Sequence, residues 1–317
     1  MPTALAPART LMRVRILLDR APIFVLIAGL AVACAGGQDV PDASGEEGSR
    51  PNVLLVFVDD LGWMDLGVYG SEIYETPHID RLAEEGMLFT DAYAAAAVCS
   101  PTRASLLTGQ SPPRVGITDW IPGRSSRPYE PLRAPEDLNH LPHADTTLAE
   151  AFRDAGYGTH FLGKWHLGGV EENSLPTAHG FMTNVGGDAS GNPGSGGFFS
   201  PYNITQIADT VEGEYLTKRL TDEALRVIDR EASDDPRNGA GGEAREDGGR
   251  ADRPFFLMMS YYTVHRPLQA PDSLIAYYEE KIAEHEYENP PFVVDQNPDA
   301  PAYEETSWEE KQEIGRA

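Results

Sequence analysis

Cysteine is almost absent from this chain. Its 317 residues hold two, Cys34 and Cys99, which excludes a disulfide-stapled scaffold. Basic residues are also scarce: 25 Lys plus Arg stand against 50 Asp plus Glu, a net charge of −25. Nucleic acid is thereby excluded as a partner, because binding phosphates demands clustered cations. Any polyanionic substrate would need a local basic pocket to overcome the overall field. The charge by itself keeps an exported chain soluble. No internal repeat is present. What remains is 41% hydrophobic residues, enough to bury a substantial core.

The N-terminus has the form of a targeting segment. Arg9, Arg13, Arg15 and Arg20 precede the apolar run Ala21–Ala33, which is too short to span a bilayer comfortably and ends in small residues. Ala31-Val32-Ala33-Cys34 is similar to a bacterial lipobox, although leucine at position 31 would be more usual. Export to the periplasm or to the outer membrane and cell surface is expected. The segment has three alternative fates: lipidation at Cys34, ordinary cleavage nearby, or retention as a plain membrane anchor. With Cys34 at the cleavage site, Cys99 has no intramolecular partner, and a lone cysteine in an oxidising compartment points to a chemical use.

Residues 1–34 therefore read as signal peptide and lipobox, and 35–50, polar and acidic, as a tether. Asn52–Val58 is a continuous apolar, β-branched run, the pattern of a strand buried on both faces of a parallel sheet. A helix is expected from Pro77 to Glu85, with Thr76 as N-cap and Gly86 as stop. Met87–Tyr93 reads as a short strand, and Ser100-Pro101 opens another helix. Residues 111–145, rich in Pro and Arg, read as a long surface loop. Thr147–Ala155 is a helix, Tyr157–Leu162 a strand, Gly163–Gly168 a loop, 186–197 a glycine-rich stretch, Tyr215–Ala232 an amphipathic helix and Pro254–Tyr262 a strand. Residues 233–253, with almost nothing apolar, read as a disordered insertion. Strands alternating with helices predict an α/β sandwich around a largely parallel sheet.

In such sheets ligands gather beyond the C-terminal strand ends. Four polar groups fall at or near such positions: Asp59-Asp60, Cys99 to Arg103, Lys164 with His166, and His265. Adjacent carboxylates after an apolar strand call for a hard cation, Ca²⁺ or Mg²⁺, or else form a solvated turn or cap. Cys99 stands at a helix entrance, where anions are stabilised, and Arg103, one turn on, can reach back to it. Lys164 offers a point charge for an anion and His166 a proton carrier near neutral pH. His265 is a further acid or base, though a lone histidine after a strand more often serves structure.

Cys99-Ser100-Pro101-Thr102-Arg103, continued to Thr108-Gly109, is the signature at which formylglycine-dependent sulfatases convert cysteine to an aldehyde. With Asn52–Gly62, Thr76–Phe89, Gly163–Gly168, His179-Gly180-Phe181 and Pro254–Pro271, the chain resembles the type I sulfatases from Pro51 to Pro271, most of all bacterial members similar to arylsulfatase A and N-acetylgalactosamine-6-sulfatase. The resemblance implies an alkaline phosphatase-like fold and a sulfuric ester hydrolase acting on sulfated carbohydrate or aryl sulfate. It implies calcium held by Asp59, Asp60 and residue 99, with Mg²⁺ the lesser choice, and a formylglycine at 99 whose hydrate attacks sulfur. Arg103 would hold the hydrate, Lys164 the sulfate oxygens, His166 would assist the hydrate, and His265 would bind sulfate or protonate the leaving alcohol. A formylglycine-generating or sulfatase-maturing enzyme is implied as partner, and a membrane only through a lipid anchor.

One departure matters. The family continues into a second part with an Asp-Asn pair and a further Lys, and no Asp-Asn occurs here. Residues 51–317 are accordingly expected to be an incomplete N-terminal catalytic domain. Two alternatives stay open: a phosphonate or phosphate monoester hydrolase of the same superfamily, and an inactive ligand-binding lipoprotein fragment.

Overall fold

The computed structural model describes residues 50–124, 132, 135–209, 211–233 and 253–284. The signal segment with Cys34, the tether up to Ser49, the insertion at 234–252 and the stretch after Glu284 lie outside the described residues.

Among the described residues, four strands form one parallel sheet: β1 (Val53–Val58), β2 (Gly158–Gly163), β3 (Thr183–Val185) and β4 (Phe255–Tyr261), in the spatial order β1-β4-β2-β3. Val53 is in register with Phe256, Gly158 with Phe255 and His160 with Thr183. Parallel neighbours need crossovers, and the described residues include the helices α1 (Pro77–Glu85), α2 (Cys99–Thr108), α3 (Pro112–Val115), α4 (Leu148–Asp154), α5 (Leu216–Ala232) and α6 (Asp272–Glu284). This is the α/β layering that the alternating pattern predicts. Among the described residues, no helix is long and apolar enough to cross a membrane.

The apolar strand runs are explained by two cores, one on each face of the sheet. Phe161, Phe256 and Met258 pack with Ala104 and Leu107 of α2 and Ala149 of α4. On the other face Leu162, Leu257 and Met259 pack against Leu216, Leu220, Ala224 and Val227, the apolar stripe of α5. Both central strands are thus covered twice, which is why their sequences do not alternate. β1, expected to be buried on both faces, is not: it lies at the edge of the sheet, so Val53, Leu55 and Phe57 join the first core while Leu54 and Val56 remain about half exposed.

Local sequence sets the boundaries. Thr147 caps α4: its Oγ1 accepts from Glu150 N at 3.1 Å while Glu150 Oε2 accepts from Thr147 N at 2.8 Å. The same hydroxyl donates to the carbonyl of His179 at 2.7 Å. Thr147→Ala is expected to cost about 1–2 kcal/mol, read as a lower urea midpoint at unchanged slope. Gly163 ends β2 at φ +97°, and a Cβ there would lie 1.8 Å from the carbonyl oxygen of Ser260. Only glycine lets β2 turn this close to β4.

Two further expectations are corrected and one is refined. Met87–Tyr93 is not a strand; it runs as irregular chain with Met87, Phe89 and Tyr93 largely exposed. Its β-forming side chains find no partner strand among the described residues, and pairing decides strand formation. The 111–145 stretch is more than surface loop: it includes α3, and Val115, Ile117 and Leu141 are buried in the first core. Thr76 is the N-cap of α1, as expected, but its side chain makes no capping hydrogen bond. Its Oγ1 instead donates to Asp80 Oδ1 at 2.9 Å and accepts from Gly67 N at 2.8 Å.

Candidate active site

Because all four strands are parallel, their C-terminal ends lie on one side of the sheet. Asp59 follows β1 and Lys164 follows β2. Their backbones are tied to the end of β4 by Asp59 N to Thr263 O (3.1 Å), Val264 N to Asp59 O (2.7 Å) and Lys164 N to Ser260 O (2.8 Å). α2 points its first residue, Cys99, at the same place.

A buried charge cluster forms the floor. Asp59 (4% exposed) takes a hydrogen bond from Lys164 Nζ (0%), and Arg103 Nη2 (1%) lies 3.3 Å from its other oxygen. Burial works to raise the Asp59 pKa, but Arg103 and Lys164 hold it below the usual carboxylate range. Burial, with Arg103 beside it, lowers Lys164. Arg103 does not turn back to hydrogen-bond Cys99, as its spacing on the helix allows. Its Nη1 donates to Lys164 O at 2.5 Å and to Ser260 Oγ at 2.7 Å. Its Nε makes no hydrogen bond, and Nη2 meets Asp59 by charge alone.

His166 stands over Cys99, its Nδ1 3.2 Å from Sγ, and its Nε2 is 2.6 Å from the carbonyl oxygen of Ile121. Burial and the nearby Lys164 lower its pKa to about 4, so the ring is neutral at pH 7. Asp60 and His166 both adopt left-handed backbone, at φ +62° and +56°. That conformation is costly for residues with side chains and is characteristic of functional sites. Asp60 is exposed, with Oδ2 3.8 Å from His265 Nε2.

The predicted residues thus fall into two linked groups, Asp59–Arg103–Lys164 and Cys99–His166, with Asp60–His265 beside the first. Three contributors were not anticipated. Ser260 is a lone hydroxyl inside the apolar run of β4, and that oddity is its signal. Ser100 belongs to the motif, yet its bonds depend on the distant Ile121 and His166. Gly191 lies against the His166 ring, where a Cβ would come within 2.5 Å of Cε1.

The Sulfatase family model matches residues 51–289. The chain belongs to the sulfatase family. N-acetylgalactosamine-6-sulfatase of Sus scrofa is 46% identical over 152 residues, 48% of this chain and 27% of that one. Its counterpart in Canis lupus familiaris is 35% identical over 242 residues, 69% of this chain and 41% of that one. Among solved structures, Ps i-CgsB in complex with k-i-k-neocarrahexaose is 27% identical with a TM-score of 0.54, covering 73% of this chain and 49% of that one. The chain spans between about a quarter and two fifths of the length of these two curated relatives.

Sulfatase membership implies a divalent cation, and the donors at hand fit one in kind. Asp59 and Asp60 offer the hard oxygens that Ca²⁺ prefers. They do not close with Cys99 into one ligand cluster, and no group of three or more such side chains assembles elsewhere among the described residues. Asp59 meanwhile directs its carboxylate to Lys164 and Arg103.

Two buried histidines make this sulfatase domain acid-sensitive. Burial lowers His179 to about 4 as well, helped by His143 stacked on its ring at 4.7 Å. An unfolded histidine takes up its proton near 6.5, these two only near 4. Between those values the unfolded chain binds more protons, so stability falls as the pH drops through the window. Each histidine should contribute a loss on the order of 2–3 kcal/mol by its lower end. Urea midpoints at neutral pH and at about pH 5 measure it, and equal midpoints would contradict it.

Proposed function

We propose that the chain carries the sulfate-transfer centre of an exported sulfuric ester hydrolase acting on sulfated carbohydrate. The observation that carries this reading is the placement of Cys99, first residue of α2, 3.2 Å from a neutral His166 and next to buried Lys164 and Arg103. Sγ of Cys99 marks where the reacting oxygen of a formylglycine hydrate would stand. That hydrate would supply a nucleophile for sulfur and a second hydroxyl to expel the sulfate afterwards. Calcium, when bound, would be held by Asp59 and Asp60 and would supply positive charge for the reacting sulfate.

The chain's own residues supply the rest. His166 takes a proton at Nδ1 from the group at position 99. Lys164 presents its ammonium to an anionic oxygen in a site where burial strengthens the interaction. Arg103 fixes the floor by holding Lys164 O and Ser260 Oγ and by opposing the charge of Asp59. His265, whose Nε2 lies 3.8 Å from Asp60 Oδ2, would in this reading bind sulfate or protonate the leaving alcohol. The preference for sugars draws on the names of the relatives, N-acetylgalactosamine-6-sulfatases, and on the carrahexaose ligand of Ps i-CgsB.

Export through residues 1–34 and maturation by a formylglycine-generating or sulfatase-maturing enzyme belong to this reading. Sulfate release from sulfated oligosaccharides, measured beside phosphate release from phosphate monoesters, tests it. The reading expects sulfate turnover to dominate. Preferential phosphate turnover would favour the phosphohydrolase alternative.

A further inference from the structure

The hydroxyl of Ser100 sits where three segments meet. Fully buried, it donates to the carbonyl of His166 at 3.1 Å and accepts from Ile121 N at 3.0 Å. The same Ile121 turns its carbonyl to His166 Nε2 at 2.6 Å. A carbonyl oxygen can only accept, so Nε2 carries the ring proton. Nδ1 is then left as a lone pair, and it faces Sγ of Cys99 at 3.2 Å. One oxygen atom therefore clamps both partners of a hydrogen bond: the backbone that carries the ring and the backbone whose carbonyl fixes the ring's proton.

From this closed set of contacts we propose that Ser100 is a positioning residue that sets the tautomer of His166. By holding the peptide at Ile121 it places the proton on Nε2 and keeps Nδ1 as the acceptor toward residue 99. The inference rests on the proposed function only for its catalytic consequence: a proton leaves an O–H at position 99 and arrives at Nδ1, which must be empty to receive it. Ser100→Ala removes the clamp without adding bulk. The Ile121 carbonyl then loses its fixed aim, Nδ1–H becomes accessible to the ring, and the acceptor is lost. Ser100→Thr keeps the hydroxyl and should keep the function.

The test is nitrogen NMR of the histidine-labelled full chain, which distinguishes protonated from bare ring nitrogens, combined with steady-state kinetics. Wild type and Ser100→Thr should both show His166 protonated at Nε2 alone. Ser100→Ala should show a mixture of tautomers. Its kcat should fall about 10²-fold with KM little changed, because proton transfer rather than binding is impaired. Either of two results would overturn the proposal: Nδ1–H on His166 in the wild type, or an unchanged tautomer in a folded Ser100→Ala. If that variant does not fold, Ser100→Cys, of similar size but only a weak hydrogen-bonding group, is read in the same way. Mass spectrometry of the residue-99 peptide, run on the same samples, reports separately on formylglycine, so a failure of the proposed function is distinguishable from a failure of the tautomer assignment.

Discussion

Cys99→Ala should lower sulfate ester hydrolysis by about 10⁴-fold or more, the scale seen when a nucleophile is removed, with little change in melting temperature. The two halves of that expectation have different origins. Catalytically, position 99 is where the proposed nucleophile stands, at the N-terminal end of α2 with His166 Nδ1 3.2 Å from its Sγ. Structurally, its side chain is only partly buried, and α2 is anchored instead by Ser100, Arg103, Ala104 and Leu107, all buried. Truncating Cys99 therefore removes one partly buried sulfur, a change worth on the order of 1 kcal/mol. Initial rates on a sulfated sugar together with a melting curve check both halves. Turnover within tenfold of wild type would remove Cys99 from the chemistry.

Asp59→Ala should be the most destabilising single change at the site, on the order of 3–5 kcal/mol. The carboxylate is 4% exposed and faces two cations that are 0% and 1% exposed. Removing it leaves Lys164 and Arg103 buried, adjacent and unopposed, and an unpaired buried charge costs far more than the pair contributes. Adding Lys164→Met to Asp59→Ala should recover part of the loss, because one of the two stranded charges goes with it. A double-mutant cycle in urea measures the coupling. If the single variant loses less than about 1 kcal/mol, the cluster is hydrated rather than buried.

Much of this was legible in the sequence, for identifiable reasons. Phe255–Tyr261 is apolar without alternation, as a parallel strand covered on both faces should be, whereas the same pattern in Val53–Val58 marked a parallel strand but not its place at the edge, covered once. α4 was expected over Thr147–Ala155, and the structure shows that Thr147 and Glu150 close its start as a capping box. Asp59, Lys164 and His265 were visible because parallel strands must end on one side, and Cys99 and Arg103 because of their motif. The misses share a cause. Met87–Tyr93 has strand-like side chains but no strand beside it among the described residues. The aim of Arg103 depends on Ser260, more than 150 positions away in the chain. The proton position on His166 depends on a backbone carbonyl at Ile121, and a main-chain atom leaves no mark in the sequence.

The central claim is that Cys99 marks a formylglycine nucleophile, and mass spectrometry of the proteolytic peptide carrying it tests that claim most directly. The chain should be produced in its native host or together with a maturing enzyme. The account predicts a residue at position 99 that has lost the elements of H₂S and gained one oxygen, and that reacts as an aldehyde with a hydrazide. A fully unmodified thiol in that peptide would contradict it.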